Sequence, residues 1–165
     1  MVLMTHAHAR LLVLVRHAKA EKGEDGDDHD RRLTAVGTEA AEQAGRWLAD
    51  VLPGAVDTVW VSSASRALAT WDGIAPALKA PPADVDRGLY QAGHKEVLAR
   101  VTASEEPVLV VVGHNPTVEE VLAALLASSP AKPRGMRPGA VAVVDLDSRA
   151  LLDFWEPRRA SRADA

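Results

Sequence analysis

Five apolar residues in succession, Leu11 to Val15, open the first patterned stretch of the chain, "RLLVLVRHAKAE". A short run that is apolar at every position, and β-branched at Val13 and Val15, predicts a buried strand over residues 10–15. "AKAEKGEDGDDHD" follows, and its Gly, Asp and Glu content predicts an exposed loop. Val36, Ala40, Ala44, Trp47, Leu48 and Val51 then recur at helical spacing behind Thr34, a good N-cap, until Pro53-Gly54 stops the helix.

The same alternation continues. "DTVWVSS" predicts a strand over Thr58 to Val61, with Ser63 or Ser65 as cap of a helix running to about Leu78. Pro81-Pro82 break the chain, and "DVDRGLYQAG" reads as extended and then turning. A helix is expected over His94 to Thr102. "PVLVVVGHNP" holds the most apolar strand, Val108 to Val112, which belongs at the centre of a parallel sheet. Thr117 to Leu126 is helical, "SSPAKPRGMRPG" is a loop, and "AVAVVDL" with "ALLDFWE" forms a hairpin around Asp147-Ser148. Strands alternating with helices predict an α/β three-layer sandwich with a mainly parallel central sheet and a C-terminal strand hairpin. No repeat or linker interrupts the pattern. One domain over residues 1–165 is expected, with its core at about 10–156 and flexible tails at 1–9 and 157–165.

Composition narrows this picture more than it extends it. Aromatic residues are only 4%, so Ala, Val and Leu must fill the core. A net charge of −4 argues against a nonspecific nucleic-acid binder, which needs a basic face. The absence of cysteine excludes disulfides and thiolate chemistry. No apolar stretch is long enough to span a membrane, and "MVLMTHAHAR" lacks the apolar region of a signal peptide, so the expected location is cytoplasmic.

The candidate chemistry sits where strands end. In open α/β sheets ligands bind beyond the carboxyl ends of the strands. Arg16 and His17 follow the first strand, Ser62, Ser63 and Arg66 the second, and Gly113, His114 and Asn115 the third. Two guanidiniums can hold the oxygens of a phosphoryl group in bidentate fashion. A neutral imidazole is a competent nucleophile at phosphorus near pH 7, and a second, protonated one would be a further donor. That scheme requires no metal and no cofactor.

The segments "VRHAKAE", "SSASRALAT" and "VVVGHNP" resemble the histidine phosphatase superfamily, also called phosphoglycerate mutase-like. "DRRLTAVG" and the "AVAVVDL…W" ending resemble the small SixA-type phosphohistidine phosphatases within it. The resemblance covers about residues 10–156. It implies that His17 is the nucleophile that becomes phosphorylated. Arg16 and Arg66 match the family's phosphate-binding arginines and His114 its second pocket histidine. Ser63 and Asn115 would lie nearby, and Arg31 would reach toward the site.

Two departures concern the general acid. Branches of the family that hydrolyse phosphomonoesters protonate the leaving oxygen with a carboxylic acid. In one it follows a Leu-x-Glu-type segment; here that region reads "GLYQAGHKE". In another an Asp follows the second histidine; here that residue is Asn115. Glu21, Asp28 and Asp30 are the substitute candidates. A phosphoramidate leaves more readily than an alkoxide once its nitrogen is protonated, so a weak or absent acid fits a phosphohistidine substrate better than a sugar phosphate.

The expected function is therefore a metal-independent phosphatase acting on phosphohistidine in a protein such as a histidine phosphotransfer domain. The alternatives are a phosphatase of a small phosphomonoester or nucleotide, with Glu21 or Asp28 as acid, and a non-catalytic module that recognises phosphorylated partners. The remaining polar features have plainer readings. Segment 21–30 reads as a solvated loop, His29 and His94 as surface histidines, and His6 and His8 as a terminal pair rather than a metal site. Arg134 and Arg137 are equally a substrate rim or nothing.

Overall fold

The computed structural model describes residues 9–23, 27–133 and 135–159. Six strands form one sheet: β1 (Leu11–Arg16), β2 (Thr58–Ser62), β3 (Asp84–Asp86), β4 (Val108–Gly113), β5 (Val141–Asp145) and β6 (Ala150–Trp155). Their order is β3-β2-β4-β1-β5-β6. The first four in that order are parallel, and β5 and β6 close the edge antiparallel. The architecture is the expected sandwich with its C-terminal hairpin, and β4 is central.

The continuous apolar runs conceal a period of two. Leu11, Val13 and Val15 of β1, with Val110 and Val112 of β4, pack under helices α1 (Ala35–Val51) and α2 (Ser65–Ile74). Leu12, Leu14, Leu109 and Val111 point the other way, onto α4 (His94–Ala103) and α5 (Thr117–Leu125). Both faces of the central strands are covered, which is why no position in them could be polar. Burying one such Leu or Val side chain stabilises the fold by about 1.5–3 kcal/mol.

Local chemistry shapes the ends of the elements. Thr34 caps α1 as expected, its Oγ1 accepting from the Gly37 N–H at 3.0 Å. Gly37 is required by close approach: a Cβ there would lie 2.2 Å from the Lys19 carbonyl oxygen. The N-terminus of α1 is thus seated on the segment that follows β1. The second helix stops earlier than expected. It ends at Ile74 and tightens into a 3₁₀ turn over Ala75–Ala77, because Pro76 has no N–H to continue the ladder. Neither Ser63 nor Ser65 caps it; the N-cap is Ala64, without a side-chain bond. "DVDRGLYQ" is the short strand β3 followed by a short helix, α3 (Arg87–Gln91).

No helix among the described residues is long and apolar enough to cross a membrane. Of the expected tails, residues 1–8 (with His6 and His8) and 160–165 lie outside the described residues, as do 24–26 and Arg134.

Candidate active site

Three adjacent strands, β2, β4 and β1, end side by side. Arg16 pairs with Gly113, and Val61 pairs with Val112, so Ser62 lies level with the same rim. The two residues after β1 are fixed through their backbones: the His17 N–H donates to the Gly113 carbonyl at 3.0 Å, and the His17 carbonyl accepts from Gly139 at 3.0 Å.

The state of His17 follows from its neighbours. Its Nδ1 lies 2.8 Å from the Ala18 carbonyl oxygen. A carbonyl can only accept, so Nδ1 carries the hydrogen. Its Nε2 lies 3.3 Å from Arg66 Nε, which can only donate, so Nε2 presents its lone pair. Both contacts demand the same neutral tautomer. Burial, reinforced by the Arg66, Arg16 and Arg31 guanidiniums, lowers the ring to about 4, against the pull of the Ala18 carbonyl. The imidazole is neutral at pH 7, with its unprotonated nitrogen facing an arginine.

Arg66 is the second residue of α2 and only 5% exposed. Thr70, one turn later, donates to the Arg66 carbonyl at 2.7 Å and accepts from the Ala18 N–H at 2.9 Å. One threonine thereby ties the arginine's helix to the segment carrying His17. Arg and Thr four apart share a helix face.

His114 follows β4. Its ring centroid is 5.2 Å from that of His17, and its Nε2 is 2.6 Å from Ser62 Oγ. Its Nδ1 is buried and has no partner among the described residues. Burial first, then the charge of Arg66 and the neighbouring His17, lowers it to about 3.

Arg16 enters from the other face of the sheet. Its Nη1 donates to the Met136 carbonyl at 2.8 Å, and burial lowers its pKa while Glu119 opposes that shift. Arg16 Nε is buried without a partner among the described residues. Asn115 stands behind Arg16: its Nδ2 donates to the same Met136 carbonyl at 3.1 Å. Glu119 Oε1 accepts the Met136 N–H at 2.6 Å. Asn115 is therefore engaged with the 135–138 loop, through an amide that has no acidic proton to give.

The three carboxylate candidates separate. Asp28 sits on Arg66: Arg66 Nη1 donates to the Asp28 backbone carbonyl at 2.6 Å and Nη2 pairs with Oδ2 at 3.1 Å. Tyr90 donates to that Oδ2 at 2.7 Å, and Arg31 Nε reaches Oδ1 at 2.9 Å. The Tyr90 hydrogen bond, followed by the charges of Arg66 and Arg31, holds Asp28 down at about 2 despite some desolvation. Asp30 and Glu21 are exposed; the Asp30 carboxylate lies 3.4 Å from the His29 ring, and Glu21 meets its neighbours through its backbone. Arg31 backs Asp28 and makes no hydrogen bond to His17.

Segment 21–30 is more than a solvated loop, because Asp28–Asp30 forms a 3₁₀ turn folded onto α2. That turn carries His29 to the rim, where its Nε2 meets Ser63 Oγ at 2.9 Å and its ring stands edge-on to Tyr90 at 4.9 Å. His29 is thus more than a surface histidine, and Ser63 reaches the site through it. His94 is half-exposed, paired with Glu120 at 2.9 Å. Sequence reasoning missed Tyr90 altogether. Its ring stands edge-on to His114 at 5.6 Å while its hydroxyl holds Asp28. Nothing in "GLYQAG" announces either contact.

Comparison with known proteins identifies the family. The family model for branch 1 of the histidine phosphatase superfamily matches residues 12–94. An uncharacterised protein of Mycobacterium tuberculosis is 40% identical over 116 residues, covering 69% of this chain and 70% of that protein. A candidate phosphohistidine phosphatase SixA from Nakamurella multipartitia is 33% identical, with a TM-score of 0.74 over 92% of this chain and 98% of that one. Another, from Agrobacterium tumefaciens, is 29% identical, with a TM-score of 0.77 over 90% of this chain and 99% of that one. The fold extends to a phosphoglycerate mutase from Plasmodium falciparum, 18% identical, at a TM-score of 0.61 over 93% of this chain and 97% of that one. With the motif residues gathered at one rim of a sheet of this topology, the chain belongs to the histidine phosphatase superfamily, branch 1.

Proposed function

We propose that this phosphatase works through a phosphohistidine on His17 and removes phosphate from phosphohistidine in a protein. The observation that carries the mechanism is the contact pair on His17: Nδ1 pinned to the Ala18 carbonyl and Nε2 turned, unprotonated, toward Arg66.

In the first step the Nε2 lone pair attacks phosphorus in line. The bond from phosphorus to the substrate's ring nitrogen breaks with its electron pair left on that nitrogen, and the proton already carried by the other ring nitrogen makes the departing imidazole neutral. Arg66 and Arg16 hold the phosphoryl oxygens as charge moves onto them. Ser62 Oγ accepts from Ala64 N at 3.4 Å, leaving its own proton for His114 Nε2. That arrangement puts a hydrogen on His114 Nδ1 and makes it a third donor to the oxygens. In the second step water attacks phosphorus, the bond to Nε2 breaks, and inorganic phosphate departs with His17 restored.

The choice of substrate rests on the carboxylates. Asp28 is ionised and committed to Arg66, Tyr90 and Arg31, so in this arrangement it has no proton for an alkoxide leaving group. A phosphoramidate protonated in solution brings its own. The SixA-type neighbours point the same way.

The test joins rapid quenching to a substrate panel. A phosphoenzyme stable to base and labile to acid should accumulate in the wild type and be missing in His17→Ala. In Asp28→Asn, turnover of a phosphohistidine peptide should stay within about threefold of wild type, since the acid contributes little there. Undiminished turnover in His17→Ala would end the mechanism. A hundredfold loss in Asp28→Asn, with phosphomonoesters as the better substrates, would establish the small-phosphomonoester reading with Asp28 as acid.

A further inference from the structure

The two sides of the site mouth carry opposite charge, and the cationic side has a built groove beside it. Lys19, Arg137, Arg158 and Arg159 line this groove over Val36 and Pro138. Val36 is 59% exposed, the most exposed large hydrophobic residue among those described. Arg137 is paired with Glu156 at 3.3 Å, whereas Lys19, Arg158 and Arg159 form no ion pair with a described residue. In a chain of net charge −4, this concentration of positive charge runs against the overall balance.

The groove is joined to the catalytic backbone. Lys19 is two residues beyond His17. Gly139, next to Pro138, donates its N–H to the Arg16 and His17 carbonyls at 3.2 and 3.0 Å. Gly139 has φ of +87°, and a Cβ there would come within 3.1 Å of Pro157 Cγ. Glycine is therefore required where the groove wall meets the site. Pro157 itself accepts a hydrogen bond from Arg137, so the residues leading to Arg158 and Arg159 are docked on this wall.

We propose that this groove receives an acidic segment of the protein substrate, adjacent to its phosphorylated residue; the inference rests on the phosphatase reading above. The apolar floor suits a chain that places a hydrophobic side chain among its carboxylates. A nucleic acid or an anionic membrane fits less well. Either presents negative charge everywhere, and across the mouth the described residues of segment 21–30 set Glu21, Asp27, Asp28 and Asp30 against Lys22 alone. A protein confines its negative charge to one side.

The test uses the full chain, wild type and the double variant Arg158→Glu/Arg159→Glu. Two phosphohistidine peptides of equal length, one with Asp/Glu and Leu flanking the phosphorylated residue and one with Ser and Gln, are compared with phosphoramidate, which has no flank. The wild type should prefer the acidic peptide by about tenfold in kcat/KM at low salt, and most of that preference should vanish at high salt. The double variant should lose the preference and turn over phosphoramidate as the wild type does. Equal use of both peptides by the wild type, or an unchanged preference in the variant, would overturn the proposal. Binding of unphosphorylated acidic and neutral peptides, read by fluorescence anisotropy, separates it from the phosphatase reading. Arginine-dependent binding without any turnover keeps the groove and removes the activity. Tighter binding of heparin or anionic vesicles than of the acidic peptide would assign the groove to another class of ligand.

Discussion

Arg66 and Arg16 flank the same imidazole from opposite faces of the sheet, and they are held by different chemistry. Arg66 lies against an ionised carboxylate and a backbone carbonyl of Asp28. Arg16 lies against a neutral carbonyl, that of Met136, supported by Asn115 and Glu119. An anion arriving at Arg16 displaces a dipole. One arriving at Arg66 meets a resident negative charge, which must shift away or repel it. Because the Asp28 side chain is 56% exposed, its carboxylate can exchange Arg66 for water. The contrast makes Arg66 the adjustable half of the site and Arg16 the rigid half.

The largest effects should separate the two arginines directly. Arg66→Ala removes the donor beside Nε2 and releases the Asp28 turn, and should lower kcat/KM by about 10³-fold. Arg16→Ala should lower it by about 10²-fold, the range for losing one oxyanion donor. Steady-state kinetics on a single substrate measures both; equal losses would erase the distinction.

The next effect is on pH-dependent stability. The folded pKa of His17 is about 4, below its unfolded value near 6.5, so below that value the unfolded chain binds the extra proton. The stability associated with neutral His17 is complete above pH 6.5 and is lost as pH falls toward 4. At pH 5 the loss should be about 2 kcal/mol for this residue alone, read by urea unfolding against pH 7.5, and His17→Asn should flatten it. NMR titration of the ring sharpens the comparison. Arg66 is the largest of the three guanidinium influences on His17, ahead of Arg16 and Arg31, so Arg66→Ala should raise its midpoint more than Arg16→Ala does. A wild-type midpoint near 6.5 would contradict the geometry.

Removing the resident charge should have an intermediate effect. Asp28→Asn should tighten inhibition by vanadate by about tenfold, the size of one like-charge contact near the surface. Weaker inhibition would mean that Asp28 serves to orient Arg66. The smallest effect belongs to the rigid half. Glu119→Gln keeps an acceptor for the Met136 N–H but removes the charge, and should raise KM by about threefold with kcat nearly constant. A fall in kcat instead would show that the loop positions Arg16 for chemistry.

Much of the fold was legible because its signals are local. Val59 and Val61, or Leu109 and Val111, are apolar whatever their partners, and Thr34 caps a helix through an atom three residues away. The strand-end rule brought Arg16, His17, Arg66 and His114 to one rim without any knowledge of strand order. What failed was what depends on distant segments meeting. Ser63 or Ser65 was expected to cap α2; neither does, and the Ser63 hydroxyl is taken by His29, 34 residues away. His29 and Tyr90 carry no local mark of function, yet they close the site on Asp28 and His114.

By itself the sequence determined the alternation of strands and helices, the apolar sheet interior and the arginine–histidine set beyond three strands, because these follow from side-chain periodicity and residue type. Only the tertiary structure decided which nitrogen of His17 is free, which of Glu21, Asp28 and Asp30 reaches an arginine, and that Asn115 serves a loop. Protonation and partnership are set by burial and by groups far apart in the chain. Two segments 38 residues apart, Asp28 and Arg66, must be in contact before either has a chemical state to describe.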